Sequence, residues 1–169
     1  MKTLEIAINK KNLIKFPIIH LICLIALGLV IYYLIIAEGK YLVIGIPIFI
    51  FFAIIYPIIL FRTLKIIFSK KAGLLISEIG IVDNIGITNL GIIEWNEINN
   101  VRIIKQYFQN FILLDLNNND KYLSNKIGFQ KNQIKNSIEK YGTPSVINAS
   151  NLNSDLDELI SIIKEKIKK

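Results

Sequence analysis

One cysteine and one histidine are all that the 169 residues hold of the side chains most used for redox and metal chemistry. Cys23 alone closes no disulfide within the chain and builds no cysteine-based zinc site. His20 lies inside a long apolar run, so no Ser-His-Asp or Cys-His arrangement can assemble in the more polar part of the chain. His20 and Cys23 are one helical turn apart, but two ligands leave a tetrahedral metal site incomplete. Glycine-rich phosphate cradles of the G-x-x-x-x-G-K-[ST] or G-x-G-x-x-G kind are missing. Asp115-x-Asn117-x-Asn119 begins like a calcium loop, yet Asp120 stands where the glycine belongs and Lys126 where the bidentate glutamate belongs. Two carboxylate clusters remain. Glu94 with Glu97 flanks a turn, and Asp155 with Asp157 and Glu158 suits the start of a helix, whose dipole accepts acids there. The expectation is no enzyme, with no catalytic, cofactor-binding or metal residues.

Acid is also scarce at the front of the chain. Residues 1–71 carry nine Lys/Arg against Glu5 and Glu38, whereas residues 72–169 carry eleven of each sign, so the whole net charge of +7 lies in the first part. Those cations flank apolar runs and form no basic stripe on a folded surface, which argues against nucleic acid as a partner.

What the front does hold is apolar length. Residues 16–37 and 41–61 are two nearly uninterrupted apolar runs separated only by Glu38, Gly39 and Lys40. At 1.5 Å per residue each reaches about 32 Å as a helix, enough for a hydrocarbon core of roughly 30 Å. Tyr32, Tyr33, Tyr41 and Tyr56 stand near the run ends, where a phenol keeps its ring apolar and its hydroxyl wet. The first run is too long for a signal-peptide core and is expected to stay as an anchor. Pro47 and Pro57 remove helix donors, which predicts a kink near the end of the second helix. Lys10, Lys11 and Lys15 precede the first run, and Arg62, Lys65, Lys70 and Lys71 follow the second, which predicts both termini on the cytoplasmic side of a membrane crossed twice. Those seven cations are candidate contacts for anionic lipid.

Leu4, Ile6 and Ile8 alternate with Glu5 and Ala7, the period of a strand. So short a strand needs partners, and the expectation is that it pairs with the domain that follows the apolar runs. From residue 72 onward short apolar segments alternate with turn signals. Strands are predicted over 74–77, 80–83, 87–95, 98–107 and 111–116, with turns at Ser77-Glu78-Ile79-Gly80 and Gln109-Asn110 among others. Connections this short imply antiparallel neighbours. Asn117, Asn118, Asn119 and Asp120 offer capping oxygens to a helical stretch, a helix fits 130–141 with Gly142 as its stop, and 143–147 reads as one more strand. Leu156, Leu159, Ile160, Ile163 and Ile167 form one face of a closing helix with Ser154 as the expected N-cap.

The order of meander, further strand and amphipathic C-terminal helix over residues 72–169 resembles a pleckstrin-homology-like barrel. The closer resemblance is to a family of small bacterial membrane proteins of uncharacterised activity, with a two-helix hairpin and a cytoplasmic domain of that kind. It is carried by Lys70-Lys71-Ala72-Gly73-Leu74, Gly80-Ile81-Val82-Asp83-Asn84, Gly91-Ile92-Ile93-Glu94-Trp95 with Ile98, and Tyr141-Gly142-Thr143-Pro144, and it covers essentially the whole chain.

The resemblance implies an α+β membrane protein of the bacterial cytoplasmic membrane. Its parts would be an N-terminal strand and basic segment (1–15), a transmembrane helical hairpin (16–61), a basic juxtamembrane linker (62–71) and a pleckstrin-homology-like antiparallel β-barrel closed by a C-terminal helix (72–169). It implies no activity, because fold alone does not carry function. A phosphoinositide-type pocket at the first strand-to-strand turn would need bases there, and Ser77-Glu78-Ile79-Gly80 has an acid instead. Trp95 is expected in the core. The functional expectation is a membrane-tethered adaptor for a protein segment at the inner bilayer face, with an anionic-lipid sensor using the seven-residue basic ring as the alternative.

Overall fold

The computed structural model describes residues 3–36, 42–86, 88–124 and 126–168. They form two compact units, one of Lys10–Ser69 and one that joins Met1–Asn9 to Lys70–Lys169.

The helical unit contains α1 (Lys10–Leu13), α2 (Lys15–Ile36) and α3 (Leu42–Ile67). Both long helices are long and apolar enough to cross a membrane, and their most apolar stretches contain no buried residue, unlike the core helix of a soluble domain. They lie antiparallel. His20 stacks on Tyr56, and a Cβ on Gly28 would touch the Phe49 ring at 3.6 Å, while one on Gly45 would touch Ile31 at 3.5 Å. α3 runs unbroken through Pro47 and Pro57 and continues to Ile67, six residues past the predicted end at Phe61. Arg62 and Lys65 therefore stand on its last turns and not on a linker. The short connection at Glu38, Gly39 and Lys40 lies outside the described residues.

The second unit is built from two antiparallel sheets. β1 (Leu4–Ile6), β2 (Leu74–Ile76), β3 (Gly80–Asp83) and β4 (Ile92–Glu94) form one in that order; β5 (Ile98–Gln106), β6 (Gln109–Leu116) and β7 (Ser145–Asn148) form the other. The N-terminal strand pairs with β2, Leu4 opposite Ile76 and Ile6 opposite Leu74, so the helical unit is inserted between two neighbouring strands. The turn at Ser77–Gly80 is consequently the second connection of the sheet, not the first. A one-turn 3-10 helix over Trp95–Glu97 carries the chain from β4 into β5. No pairing between named strands joins the two sheets among the described residues. Among the described residues the architecture is thus two antiparallel sheets with a covering helix, and the closed barrel expected from the sequence is not found.

Three helices complete the unit: α4 (Asp120–Ser124), α5 (Gly128–Tyr141) and α6 (Leu156–Ile167). Ile6, Leu74, Ile76 and Ile81 from the first sheet, Ile112, Leu114 and Ile147 from the second, and Leu159 and Ile163 from α6 share one core. Burying each of these side chains contributes about 1.5–3 kcal/mol relative to leaving it in water.

Local chemistry moved several boundaries. The strand expected over 87–95 shortens to Ile92–Glu94, because Asn89 and Gly91 both adopt left-handed backbone, which interrupts an extended chain. Gln109 and Asn110 are not a turn but the start of β6, and the turn is Tyr107-Phe108. β7 starts at Ser145, since the Thr143 hydroxyl donates to the Leu114 carbonyl and accepts from Ser145 N–H, and Pro144 has no donor for a ladder. The N-cap of α6 is Asp155, whose Oδ1 accepts from the N–H groups of Asp157 and Glu158 at 2.9 and 3.0 Å, where Ser154 was expected. Asn118 Oδ1 caps α4 at 3.0 and 3.3 Å, and Gly142 ends α5 in the left-handed conformation.

Candidate functional site

The β2–β3 turn is tied together by Ser77, whose Oγ donates to the Gly80 carbonyl at 2.9 Å and accepts the Gly80 N–H at 3.2 Å. Beside it, Trp95 donates its indole Nε1–H to the Ser77 carbonyl at 3.0 Å. Trp95 packs on the core as expected, but it also borders a cleft. Glu78, Ile79, Glu94, Trp95, Asn96, Lys166 and Ile167 line a space of about 530 Å³ between the turn, the end of β4 and the last turn of α6. Ile79, 53% exposed, contributes an apolar wall. Glu78 and Glu94 against Lys166 leave the rim one charge negative, and the C-terminal end of α6 adds the negative pole of its dipole. The base that the turn itself lacks is thus supplied by Lys166, from the far end of the chain.

Glu97, just past the cleft, accepts from the Lys121 ammonium and from the Tyr122 hydroxyl. Burial works to raise the Glu97 carboxyl, but these bonds outweigh it and hold the group below its ordinary range. Burial first, and then the bond to Glu97, push the Tyr122 phenol well above its ordinary value. Glu97 thereby joins α4 to the 3-10 turn.

A second pocket, of about 10 Å³, lies under the loop that follows β3, among Asp83, Thr88, Asn89, Leu90, Gly91, Ile93, Ser145 and Val146. It holds no more than a water molecule. Asp83 Oδ1 accepts from the N–H groups of Ile85 and Gly86 at 2.9 Å each, and burial pushes the carboxyl up to about 6 against those bonds.

The residues of the calcium-loop pattern make structural hydrogen bonds, although Asn119 Oδ1 is buried without a partner. Arg102 Nε donates to Asp115 Oδ2 at 2.8 Å and its Nη2 to Oδ1 at 2.6 Å, Asn117 Nδ2 donates to the Asn96 carbonyl, and Asn119 Nδ2 donates to the Gly142 carbonyl. Among the described residues no three His, Cys, Asp or Glu side chains converge on a metal position. In the helical unit His20 is occupied by Tyr56, Phe52 and the Phe52 carbonyl, with Cys23 exposed on the same helix.

Five of the seven candidate lipid contacts belong to the helical unit. The antiparallel pairing of α2 and α3 places Lys10, Lys11, Lys15, Arg62 and Lys65 at one end of the helical unit, all five exposed. Lys70 and Lys71 belong to the other unit. The chain matches no protein-family model, no curated protein and no solved structure.

Proposed function

We propose that the protein is a non-enzymatic, membrane-tethered adaptor whose second unit, pleckstrin-homology-like in layout, holds a protein segment in the cleft at Trp95. The observation that carries this reading is the cleft itself, with apolar walls at Ile79 and Ile167, an indole, and a net-negative rim. Those features suit a segment with an apolar anchor next to a basic side chain. Four strands, then three, then a covering helix support the pleckstrin-homology-like assignment. The excess of cations at one end of the helical unit supports placement in a bacterial cytoplasmic membrane with both termini inside. A tether of that kind raises the concentration of membrane-bound partners around the cleft.

The test is photocrosslinking from position 79 in native membranes. A discrete protein adduct that weakens several-fold on Glu94→Lys is expected, and recovery of lipid adducts alone would sink the adaptor. A second reading, anionic-lipid sensing, is favoured by the five cations clustered at one end of the helices, each adding about 1 kcal/mol of attraction near an acidic surface. It predicts that the full chain in vesicles changes its cleft crosslinking when phosphatidylglycerol is withdrawn.

A further inference from the structure

β5 and β6 are joined by a two-residue turn, Tyr107-Phe108, with φ values of 49° and 61°. Both residues are left-handed, as a tight hairpin turn of this kind requires, and Asn-Gly is the pair that meets the requirement with least strain. Here two bulky aromatics occupy it and nothing covers them: Tyr107 is 84% and Phe108 99% exposed. Strain and exposed ring surface both work against the folded unit standing alone in water.

The hairpin around the tip carries charge of one sign. Residues 103–114 include no acid, Lys105 is exposed on β5, and Lys140 Nζ lies over the Tyr141 ring at 5.0 Å, within electrostatic reach of Tyr107. The tip is also held firmly. The Tyr141 hydroxyl donates to Gln106 Oε1 at 2.7 Å, and Asn148 Nδ2 donates to Gln109 Oε1 at 2.8 Å.

Its place in the unit is the decisive point. Asn110, two residues after Phe108, donates its N–H to Ser150 Oγ at 2.9 Å, and the neighbouring Asn151 carbonyl accepts from Asn9 N–H at 2.8 Å. Asn9 is the last residue before the chain leaves for the helices. The aromatic tip therefore shares an edge of its unit with the exit toward the membrane-crossing segments.

We propose that the Tyr107-Phe108 tip seats in the headgroup layer of the bilayer that the chain's own helices cross, with Lys105 and Lys140 against anionic headgroups. A phenol beside a phenyl ring suits that layer, where ring surface leaves water while the hydroxyl stays hydrated. Basic side chains flanking it draw on the acidic surface potential. The tether makes the contact intramolecular, so two rings are sufficient where a free domain would need more. The proposal rests on the helices spanning a bilayer and on nothing in the Trp95 cleft.

The test uses the full chain in vesicles of phosphatidylcholine with phosphatidylglycerol, carrying one nitroxide at a time. The label sits on native Cys23, or, with Cys23→Ser, on Phe108→Cys, on Tyr107→Cys, or on Lys131→Cys as an exposed reference. Collisions with oxygen and with a water-soluble nickel chelate report depth. At 107 and 108 nickel access is expected several-fold below that at 131, rising when phosphatidylglycerol is omitted. Nickel access at 107 and 108 equal to that at 131, while the Cys23 label meets only oxygen, overturns the proposal and leaves the spanning helices standing. Nickel access at Cys23 overturns both. Protection that is independent of phosphatidylglycerol overturns the part assigned to Lys105 and Lys140, and protection in native membranes but not in vesicles assigns the tip to a protein instead.

Discussion

The main-chain N–H of Asn9 donates to the carbonyl oxygen of Asn151 at 2.8 Å, fastening the end of the opening segment to the loop ahead of α6. Asn153 N–H donates to the Ala7 carbonyl and Gly73 N–H to the Ile6 carbonyl, each at 2.8 Å, and Ile6 is 6% exposed. The opening segment is thus part of the second unit's core, although sixty residues of helical unit separate it from β2. Residues 70–169 expressed alone should fail to melt cooperatively, since loss of Ile6 alone costs about 2–4 kcal/mol. Residues 3–9 joined to 70–169 by a short Gly-Ser linker should give a soluble, cooperatively melting protein. Circular dichroism melts check both, and equal midpoints for the two polypeptides would refute the claim.

A Cβ on Gly80 would lie 2.1 Å from the Ile93 carbonyl oxygen and 2.9 Å from Glu94 Cα, both backbone atoms of the paired strand β4. Neither can move aside as a flexible side chain would. Gly80→Ala is expected to cost about 3 kcal/mol in the linked soluble protein, read from its urea midpoint. An unchanged midpoint would show that β3 and β4 separate without penalty.

Asp83 is an acid whose folded value, about 6, lies above its ordinary value of 3.8. The folded state therefore binds more protons than the unfolded state between those values, so stability falls as pH rises from about 4 to 6 and stays lower above. Asp83→Asn keeps an oxygen for Ile85 and Gly86 N–H and removes the charge. It should stabilise the linked protein by about 2–3 kcal/mol at pH 7 and flatten this pH slope. A variant less stable than the parent at pH 7 would show that the charged carboxylate is the favoured form.

Tyr107→Asn with Phe108→Gly replaces two strained aromatics by the pair that the turn geometry prefers. Left-handed backbone costs an ordinary residue roughly 1–2 kcal/mol, so the double variant should raise the stability of the linked protein by about 2 kcal/mol. A lower melting temperature would mean that the rings stabilise the hairpin in water.

How much could be read in advance varied with the range of the interaction. Leu156, Leu159, Ile160 and Ile163 mark α6 by their spacing alone, because helix periodicity is local. Its cap was placed one residue early, on Ser154, since the side chains of Ser154 and Asp155 can both accept first-turn N–H groups and only the backbone position decides for Asp155. The β5–β6 turn was misplaced onto Gln109-Asn110 because polar composition marks turns on average, whereas register, Gln106 opposite Gln109, marks this one. Of the cleft, Glu78, Glu94 and Trp95 stood out in the sequence, but Lys166 arrives from α6 only when that helix docks across both sheets.

The sequence by itself determined that two helices can cross a bilayer, which face of α6 is apolar, and where the cations lie along the chain. These depend on counting residues against a fixed rise or period. Only the tertiary structure decided that β1 pairs with β2 across the inserted helices, that the described strands fall into two sheets, and that Trp95, Glu94 and Lys166 share one cleft. Each of these is a meeting of residues far apart in the chain, selected by burial of a common core, and no local pattern encodes which distant partner that burial will bring.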